Sequence, residues 1–331
     1  MKLSTTIDWR PLAELIERHD VFLLTTHCRA DCDALGSELG LAMALESLGK
    51  RVVIVNGDEP PPHISFLDEQ NRACVLGTTA PLEALRGVEA IIVVDTGARV
   101  QLGPMAAYLD NFTGSKAVID HHVSGDELGA LVLKDAKSES TGRLILELID
   151  FLDVELTQEI AVPLFAAIAT DTGWFRFSSV TEQTFLALSR LVAAGASPPA
   201  LFSQLYEQHT LPRLLLRGRI LDHVEAMCDG RLMWTYVSAE DFAATDAELT
   251  DTEDSINSLL TVAGVEAAAM FVELEPEKTK VSLRSRSGFD VSAVAEQFGG
   301  GGHKAAAGIT VQEPLADAQK SILDALCKAL G

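Results

Sequence analysis

The sequence predicts an α/β fold in two parts. The first is a mostly parallel sheet flanked by helices; the second is a smaller α/β part with a mixed sheet. Three observations carry this. Short aliphatic runs alternate with amphipathic helical segments through the first half, the pattern of βαβ units. A punctuated stretch, Gly195-Ala-Ser-Pro-Pro199, interrupts that alternation. From about Arg231 the pattern changes to strands interspersed with helices.

Val21 to Thr26 (VFLLTT) is the first strand, ending at His27. Leu35, Leu39, Ala42, Leu45 and Leu48 recur at helical spacing, and Gly49 ends that helix. Arg51 to Val55, Ala90 to Asp95 and Lys116 to Asp120 are three further strands. Leu144, Ile145, Leu148, Ile149 and Leu152 form one face of a long helix. Another spans about Thr157 to Thr170, with Thr157 as N-cap and Pro163 an awkward interior residue. A third runs from about Thr181 to Ala194 and stops at Gly195. Leu211-Pro212 reads as a second break, with a linker helix between the two. Strands are expected at 231–238, 267–274, 279–285 and 305–311, and helices near 252–263, 289–298 and 314–330. The expected organisation is therefore 1–195, a linker at 196–230, and 231–331.

The 331 residues are 47% hydrophobic, which excludes disorder of the whole chain. The longest apolar run, Ile160 to Ala169, is far short of the roughly 20 residues a bilayer span needs. The N-terminus carries no apolar signal core, so a cytoplasmic protein is expected. The five cysteines are read as reduced thiols rather than a disulfide framework. Twenty-six Lys+Arg against 48 Asp+Glu give a net charge of −22, which opposes binding of long nucleic acid. Small phosphorylated substrates stay open if metal ions or a local basic patch make the contact.

The informative polar residues stand at strand ends. The first strand runs into His27-Cys-Arg-Ala-Asp31-Cys-Asp33-Ala-Leu-Gly36-Ser37, the third into Asp95-Thr96, the fourth into Asp120-His121-His122. A helix ends in Thr170-Asp171-Thr-Gly173. Open parallel sheets bind ligands beyond the carboxyl ends of their strands, so these groups converge on one edge. Each has a bland alternative: a helix cap, a solvated turn, a satisfied core histidine. All of them being accidental together is much less plausible. Carboxylates and imidazoles in that number suit a pair of borderline divalent cations acting on a phosphoryl group.

These motifs resemble those of the DHH phosphoesterases. Asp120-His121-His122 resembles the signature triplet, the segment from His27 to Ser37 the first motif, Val93-Val94-Asp95-Thr96 the second, and Thr170-Asp171-Thr172-Gly173 the fourth. Gly299-Gly-Gly-Gly302-His303-Lys-Ala-Ala-Ala-Gly308, preceded by Ser282-Leu-Arg284-Ser-Arg286, resembles the DHH-associated C-terminal domain. The whole is most similar to the two-domain nanoRNase and pAp phosphatase subgroup, often called NrnA-like. The resemblance implies that His27, Asp31 and Asp95 hold one metal and that Asp33, Asp95, His121 and Asp171 hold a second, with manganese the expected ion. It implies attack on phosphorus by a hydroxide that the two metals activate. His122 then sits beside the scissile phosphate and Asp120 orients its neighbours. Arg284, Arg286, Gly300, Gly301, Gly302 and His303 bind substrate from the second domain, with the active site in the cleft between domains.

The glycine run has its own logic, since successive N–H groups can cradle an anion. Between Lys278 and Lys304 five Lys/Arg stand against two Asp/Glu, and Arg284 and Arg286 alternate along one strand face. A flexible turn beside a solvated strand face is the bland alternative. Ala30 and Cys32 stand where the family favours proline and glycine, which puts the loop conformation in question. Cys28 and Cys32 flank the ligand positions and are read as packing residues; Arg176 is read as either a substrate contact or a structural ion pair.

The expected activity is degradation of very short oligoribonucleotides such as pApA to nucleoside 5′-monophosphates, with pAp dephosphorylation beside it. No membrane partner is expected, and a homodimer is compatible with the sequence. The alternatives are a cyclic-dinucleotide or pNpN phosphodiesterase, an inorganic pyrophosphatase, for which a Ser-Arg-Lys-Lys-type motif is missing, and a non-catalytic nucleotide sensor.

Overall fold

In a computed structural model, which describes residues 3, 6–286 and 288–331, the chain forms two compact units, Met1–Glu207 and Gln208–Gly331. The division falls inside the 196–230 stretch.

The first unit is built on six parallel strands: β1 (Val21–Thr25), β2 (Arg51–Asn56), β3 (Ala73–Val75), β4 (Ala90–Val94), β5 (Ser115–Asp120) and β6 (Leu131–Lys134). Their spatial order is β3-β2-β1-β4-β5-β6. The order reverses direction at β1, whose neighbours are β2 and β4, so the switch point lies where the first two motifs end. Both faces are buried, which is why these strands read as unbroken apolar runs. Phe22, Leu24, Ile92, Val94 and Ile119 join the core shared with α1 (Arg10–Arg18), α2 (Cys32–Ser47), α4 (Thr141–Phe151), α5 (Gln158–Asp171) and α6 (Glu182–Ala193). Leu23, Ile91, Val93 and Val118 face the other way, toward Leu102 and α3 (Pro104–Asn111).

Helices α2 and α5 carry candidate site residues at their ends, and they pack closely. A Cβ on Gly36 would stand 2.4 Å from the carbonyl oxygen of Pro163, so glycine is required there. Pro163 does not break α5, which continues to Asp171. The helix is almost wholly buried, and its packing outweighs the lost hydrogen bond.

After α7 (Pro198–Tyr206) the second unit opens with α8 (Leu211–Asp222). Leu211-Pro212 is therefore a helix start and not a break. Thr210 caps the N-terminus, and Pro212 sits in the first turn, where its missing N–H costs nothing. The second sheet has the order β11-β12-β10-β9-β8-β7, from β7 (Glu225–Met227), β8 (Leu232–Val237), β9 (Ala267–Glu275), β10 (Lys278–Ser285), β11 (Gly301–His303) and β12 (Ala306–Val311). It is mixed: β8 and β9 run parallel, and the other pairs are antiparallel. One face packs on α11 (Val291–Glu296) and α12 (Leu315–Leu330), the other on α8 and α10 (Ser255–Leu259); α9 (Ala239–Thr245) follows β8. No single helix among the described residues is long and apolar enough to cross a membrane.

The reading of five reduced thiols is overturned. Cys228 and Cys327 form a disulfide, with Cα atoms 6.0 Å apart across a sequence separation of 99. It ties the turn before β8 to α12. Arg231 donates to the carbonyls of Leu330 and Gly331 at the same end. Cysteine parity and a missing signal core say nothing about two side chains that only the fold brings together.

Candidate active site

β1 delivers His27 to the carboxyl edge of the first sheet. Its Nδ1 lies 3.0 Å from the Cys28 carbonyl, so Nδ1–H donates there and Nε2 is left free. That Nε2 is 3.5 Å from Asp95 Oδ2. Asp31 caps α2, one of its oxygens accepting from the N–H groups of Asp33 and Ala34 at 2.9 and 3.0 Å. Asp33, in the first turn, is 1% exposed. Its two oxygens accept from the N–H groups of Thr141 and Gly142 at 2.7 and 2.8 Å, so the N-terminus of α4 faces this carboxylate.

Asp95 follows β4 in a left-handed conformation, φ +61, which turns the chain sharply at the sheet edge. Its Oδ1 accepts from the Thr141 hydroxyl at 2.9 Å. His121 follows β5. Its Nε2 lies 3.7 Å from Asp33, 3.6 Å from Asp95 and 3.6 Å from Asp171, while Nδ1 faces the Ser138 carbonyl.

Six expected metal positions thus come together from four separate segments. In three groups, one ligand atom from each residue lies within 4.8 Å of those of the other two: His27-Asp31-Asp95, Asp33-His121-Asp171, and Asp95-His121-His122. Asp95 belongs to two of them. Burial first, then Asp95, Asp171 and Asp31, push the Asp33 carboxyl well above the usual range. Burial and then Asp31 do the same to Asp95. Burial also raises Asp171, against the opposing pull of His121. Carboxylates gathered at such cost need concentrated positive charge. The donor set, oxygen-rich with imidazole, fits divalent cations such as manganese or zinc.

Asp120 and His122 form a separate pair beside this cluster. Asp120 is fully buried; its Oδ1 accepts from the backbone N–H and Nδ1 of His122 at 3.0 and 2.8 Å. Lys134 Nζ lies 3.0 Å from the other oxygen. Burial opposes charge on Asp120, yet these partners outweigh it and hold the carboxyl below its usual range. The bond to Asp120 raises His122, whose ring is half exposed. A half-exposed imidazole donor oriented by Asp120 suits a neighbouring phosphoryl oxygen.

Several contributors were not read from the sequence. Thr141 and Gly142 clasp Asp33 and Asp95, and Lys134 charges Asp120. The signal for the first pair was available: Ser140-Thr-Gly142 opens a helix, and the Ser140 side chain accepts from the Arg143 N–H as an N-cap. Buried Glu38 also escaped notice. It accepts from Asn56 Nδ2 at 2.9 Å, and Asn56 accepts from the Thr26 N–H at 3.0 Å, fixing the chain just before His27. Burial pushes the Glu38 carboxyl up to about 8.

Cys32 is buried, and its thiol is pushed up to about 12 by that burial, so packing describes it better than a thiolate ligand does. Arg176 has no ion-pair partner among the described residues; its Nε donates to the Gly173 carbonyl at 2.6 Å.

In the second unit, Arg284 and His303 both pair with Ala306, from opposite sides. Directly opposed residues share a sheet face, so the two side chains flank one row. Arg286 lies beyond the end of β10, so the expected strand face carries Arg284 alone. The glycine run is not a free loop: Gly301 and Gly302 belong to β11. A Cβ at Gly300 or Gly302 would stand 2.3 or 2.4 Å from a carbonyl oxygen of β12, whereas Gly301 faces open space. Close backbone approach within the sheet explains two of these glycines.

A model of the DHH family N-terminal domain matches residues 21–168, and one of the DHHA1 domain matches 237–331. The bifunctional oligoribonuclease and PAP phosphatase NrnA of Thermus thermophilus is 32% identical over 311 residues, covering 93% of this chain and 89% of that protein. The chain belongs to the DHH family. The NrnA of Bacillus subtilis is 28% identical over 96% of this chain and 98% of its own. The cyclic-di-AMP phosphodiesterase PdeA of Listeria monocytogenes is 27% identical over 95% of this chain, which spans 48% of that protein. The DHH fold is also seen in a crystal structure of an exopolyphosphatase-related protein from Bacteroides fragilis, with TM-score 0.86, 24% identity and 98% of each chain covered.

Proposed function

We propose that this protein is a divalent-metal-dependent phosphohydrolase of very short oligoribonucleotides, releasing nucleoside 5′-monophosphates, and that it also removes the 3′-phosphate of pAp. The carrying observation is the pair of donor triads, His27-Asp31-Asp95 and Asp33-His121-Asp171, brought together around Asp95. Similarity to NrnA proteins over nearly the whole chain supports the substrate class.

In this reading His27, Asp31 and Asp95 hold one ion, and Asp33, Asp95, His121 and Asp171 a second, with manganese preferred. Bound there, two such ions supply positive charge to phosphoryl oxygens and acidify a water. The chain supplies the rest. The Cys28 carbonyl fixes the His27 tautomer and the Ser138 carbonyl that of His121, so each presents Nε2. Thr141 and Gly142 keep Asp33 and Asp95 from rotating. His122, held by Asp120 through its Nδ1, donates toward the phosphoryl or leaving oxygen. Arg284 and His303 bind nucleotide phosphate. The acidic surface, net −22, disfavours extended polyanions and favours short ones. The cytoplasm is the proposed place of action.

A product-resolved time course with Mn2+ tests this. The substrates are pApA, a 24-nucleotide RNA, pAp, cyclic di-AMP and pyrophosphate. The reading expects fast release of AMP from pApA, AMP from pAp, and little attack on the 24-mer. Preferred turnover of cyclic di-AMP would move the assignment to the activity that PdeA carries. Turnover of pyrophosphate alone would overturn the substrate class.

A further inference from the structure

His27 has two surroundings. One side belongs to the donor cluster. The other walls a cavity of about 580 Å³, completed by Cys28, Arg29, Val100 and Gln101, all within the first unit. That volume lies in the range of roughly 300–1,000 Å³ usual for small-molecule sites. Apart from the Cys28 carbonyl that orients His27, none of these four residues has a part in the chemistry above.

The cavity walls are pinned. The Cys28 N–H donates to the Gln101 carbonyl at 2.7 Å, and the Thr96 hydroxyl donates to the Gln101 side chain. Cys28 Sγ presses against two glycines: a Cβ on Gly57 or Gly103 would come within 2.7 or 2.4 Å of it. Arg29 sits at φ +56, a left-handed conformation that side chains other than Asn and Asp seldom adopt. Asp58 holds it there, both carboxylate oxygens accepting the Arg29 N–H at 3.0 and 2.9 Å. What this display presents is an exposed guanidinium with no hydrogen bond or ion pair among the described residues. Beside it Val100 is 84% exposed, an aliphatic side chain on the 3₁₀ turn Arg99–Leu102.

The occupant must meet three conditions. It adjoins a group held at the donor cluster, because His27 is common to both. It carries negative charge for Arg29, whose planar fork suits phosphate and whose face stacks on aromatic rings. It offers a flat, partly apolar surface for Val100 with polar edges for Gln101. A nucleotide meets all three. We propose that this cavity is the subsite for a nucleotide adjoining the scissile phosphodiester, with Arg29 as its specificity-determining residue. The proposal rests on the oligonucleotide reading above.

The test uses Arg29→Asn, which removes the guanidinium but keeps a residue tolerant of left-handed backbone, and Val100→Asp, which places a like charge on an exposed wall at no packing cost. Arg29→Lys serves as the conservative variant. Two readouts are taken on the full chain: KM and kcat for pApA with Mn2+, and pApA affinity by calorimetry after EDTA treatment. The expected result is a rise in both KM and Kd for pApA of roughly tenfold in Arg29→Asn and Val100→Asp, with kcat within about twofold and partial recovery in Arg29→Lys. The efficiency ratio of pApA to p-nitrophenyl phosphate should fall with it. Unchanged KM and Kd in both variants overturn the subsite, as does absence of pApA binding by the wild type in both assays. If the wild type binds pApA without hydrolysing it and the variants weaken binding, the subsite stands and the proposed activity fails. If the wild type hydrolyses pApA and the variants bind it as tightly, the activity stands and the subsite fails.

Discussion

Asp95 is the residue on which the site turns, and Thr141 is what holds it. The hydroxyl of Thr141 and its N–H restrain two different carboxylates, Asp95 and Asp33. Thr141→Val keeps the shape and removes one of the two bonds. We expect the folded structure to survive, with Mn2+ affinity and pApA turnover each reduced about 10- to 100-fold; titration calorimetry and steady-state kinetics check this. The candidate metal positions were legible in sequence, because strand ends in a parallel sheet share an edge. Thr141 and Lys134 were not. Their roles come from contacts made across the fold, such as Thr141 with Asp33, which are 108 residues apart.

Glu38 makes a separate prediction at the same scale. Its carboxyl is held up to about 8 by burial, against an unfolded value near 4.5. Between these values the folded state keeps a proton that the unfolded state has released. Stability from this group is therefore fully present below pH 4.5 and is lost as pH rises toward 8, by an amount on the order of 5 kcal/mol. Glu38→Gln cannot ionise. The melting temperature of Glu38→Gln relative to wild type should rise from pH 5 to about pH 8 and level off above it; a constant difference across that range would mean that Glu38 does not titrate between the two values.

At the level of elements, the close crossing of α2 and α5 places the two ends of the donor set. Gly36 makes that crossing workable. Gly36→Ala should cost about 1–3 kcal/mol by forcing the helices apart, and should lower metal affinity with it. Gly218 in α8 is the contrast: a Cβ there meets nothing within 4 Å. Gly218→Ala should stabilise the protein by up to about 1 kcal/mol and leave metal binding alone. Thermal unfolding of both variants separates the cases. The long buried strands and helices were readable from periodicity. The short, partly exposed strands β3 and β6 were not, since three or four residues give no period to detect. Helix α1 escaped as well, its apolar face resting on only Leu12, Leu15 and Ile16. In the second unit, Gly301 and Gly302 read as loop because their strand pairing depends on β12, not on their own propensity.

The whole chain combines an acidic net charge with a concentrated acidic centre, and it carries a disulfide that closes a loop of about 100 residues. Such a loop is worth roughly 4–5 kcal/mol in chain-entropy arguments. Mild reduction should lower the melting temperature of the second unit while leaving the Mn2+-dependent stabilisation of the first unchanged, a separation that calorimetry with and without EDTA can resolve. Sequence reasoning missed this pairing because the two cysteines lie 99 residues apart and no spacing rule connects them. The Gly and Pro punctuation after Ala194 lies inside the first unit, which runs to Glu207, and Pro198 and Pro199 open α7 there.

The central claim is that Asp95 joins two divalent-metal sites. The measurement that tests it most directly is the Mn2+ stoichiometry of the full chain, wild type against Asp95→Asn, by calorimetry with circular dichroism to confirm folding. The account predicts two ions per wild-type chain and at most one, weakly bound, in a folded Asp95→Asn variant. Two ions bound with unchanged affinity in the variant, or none in the wild type, would contradict it.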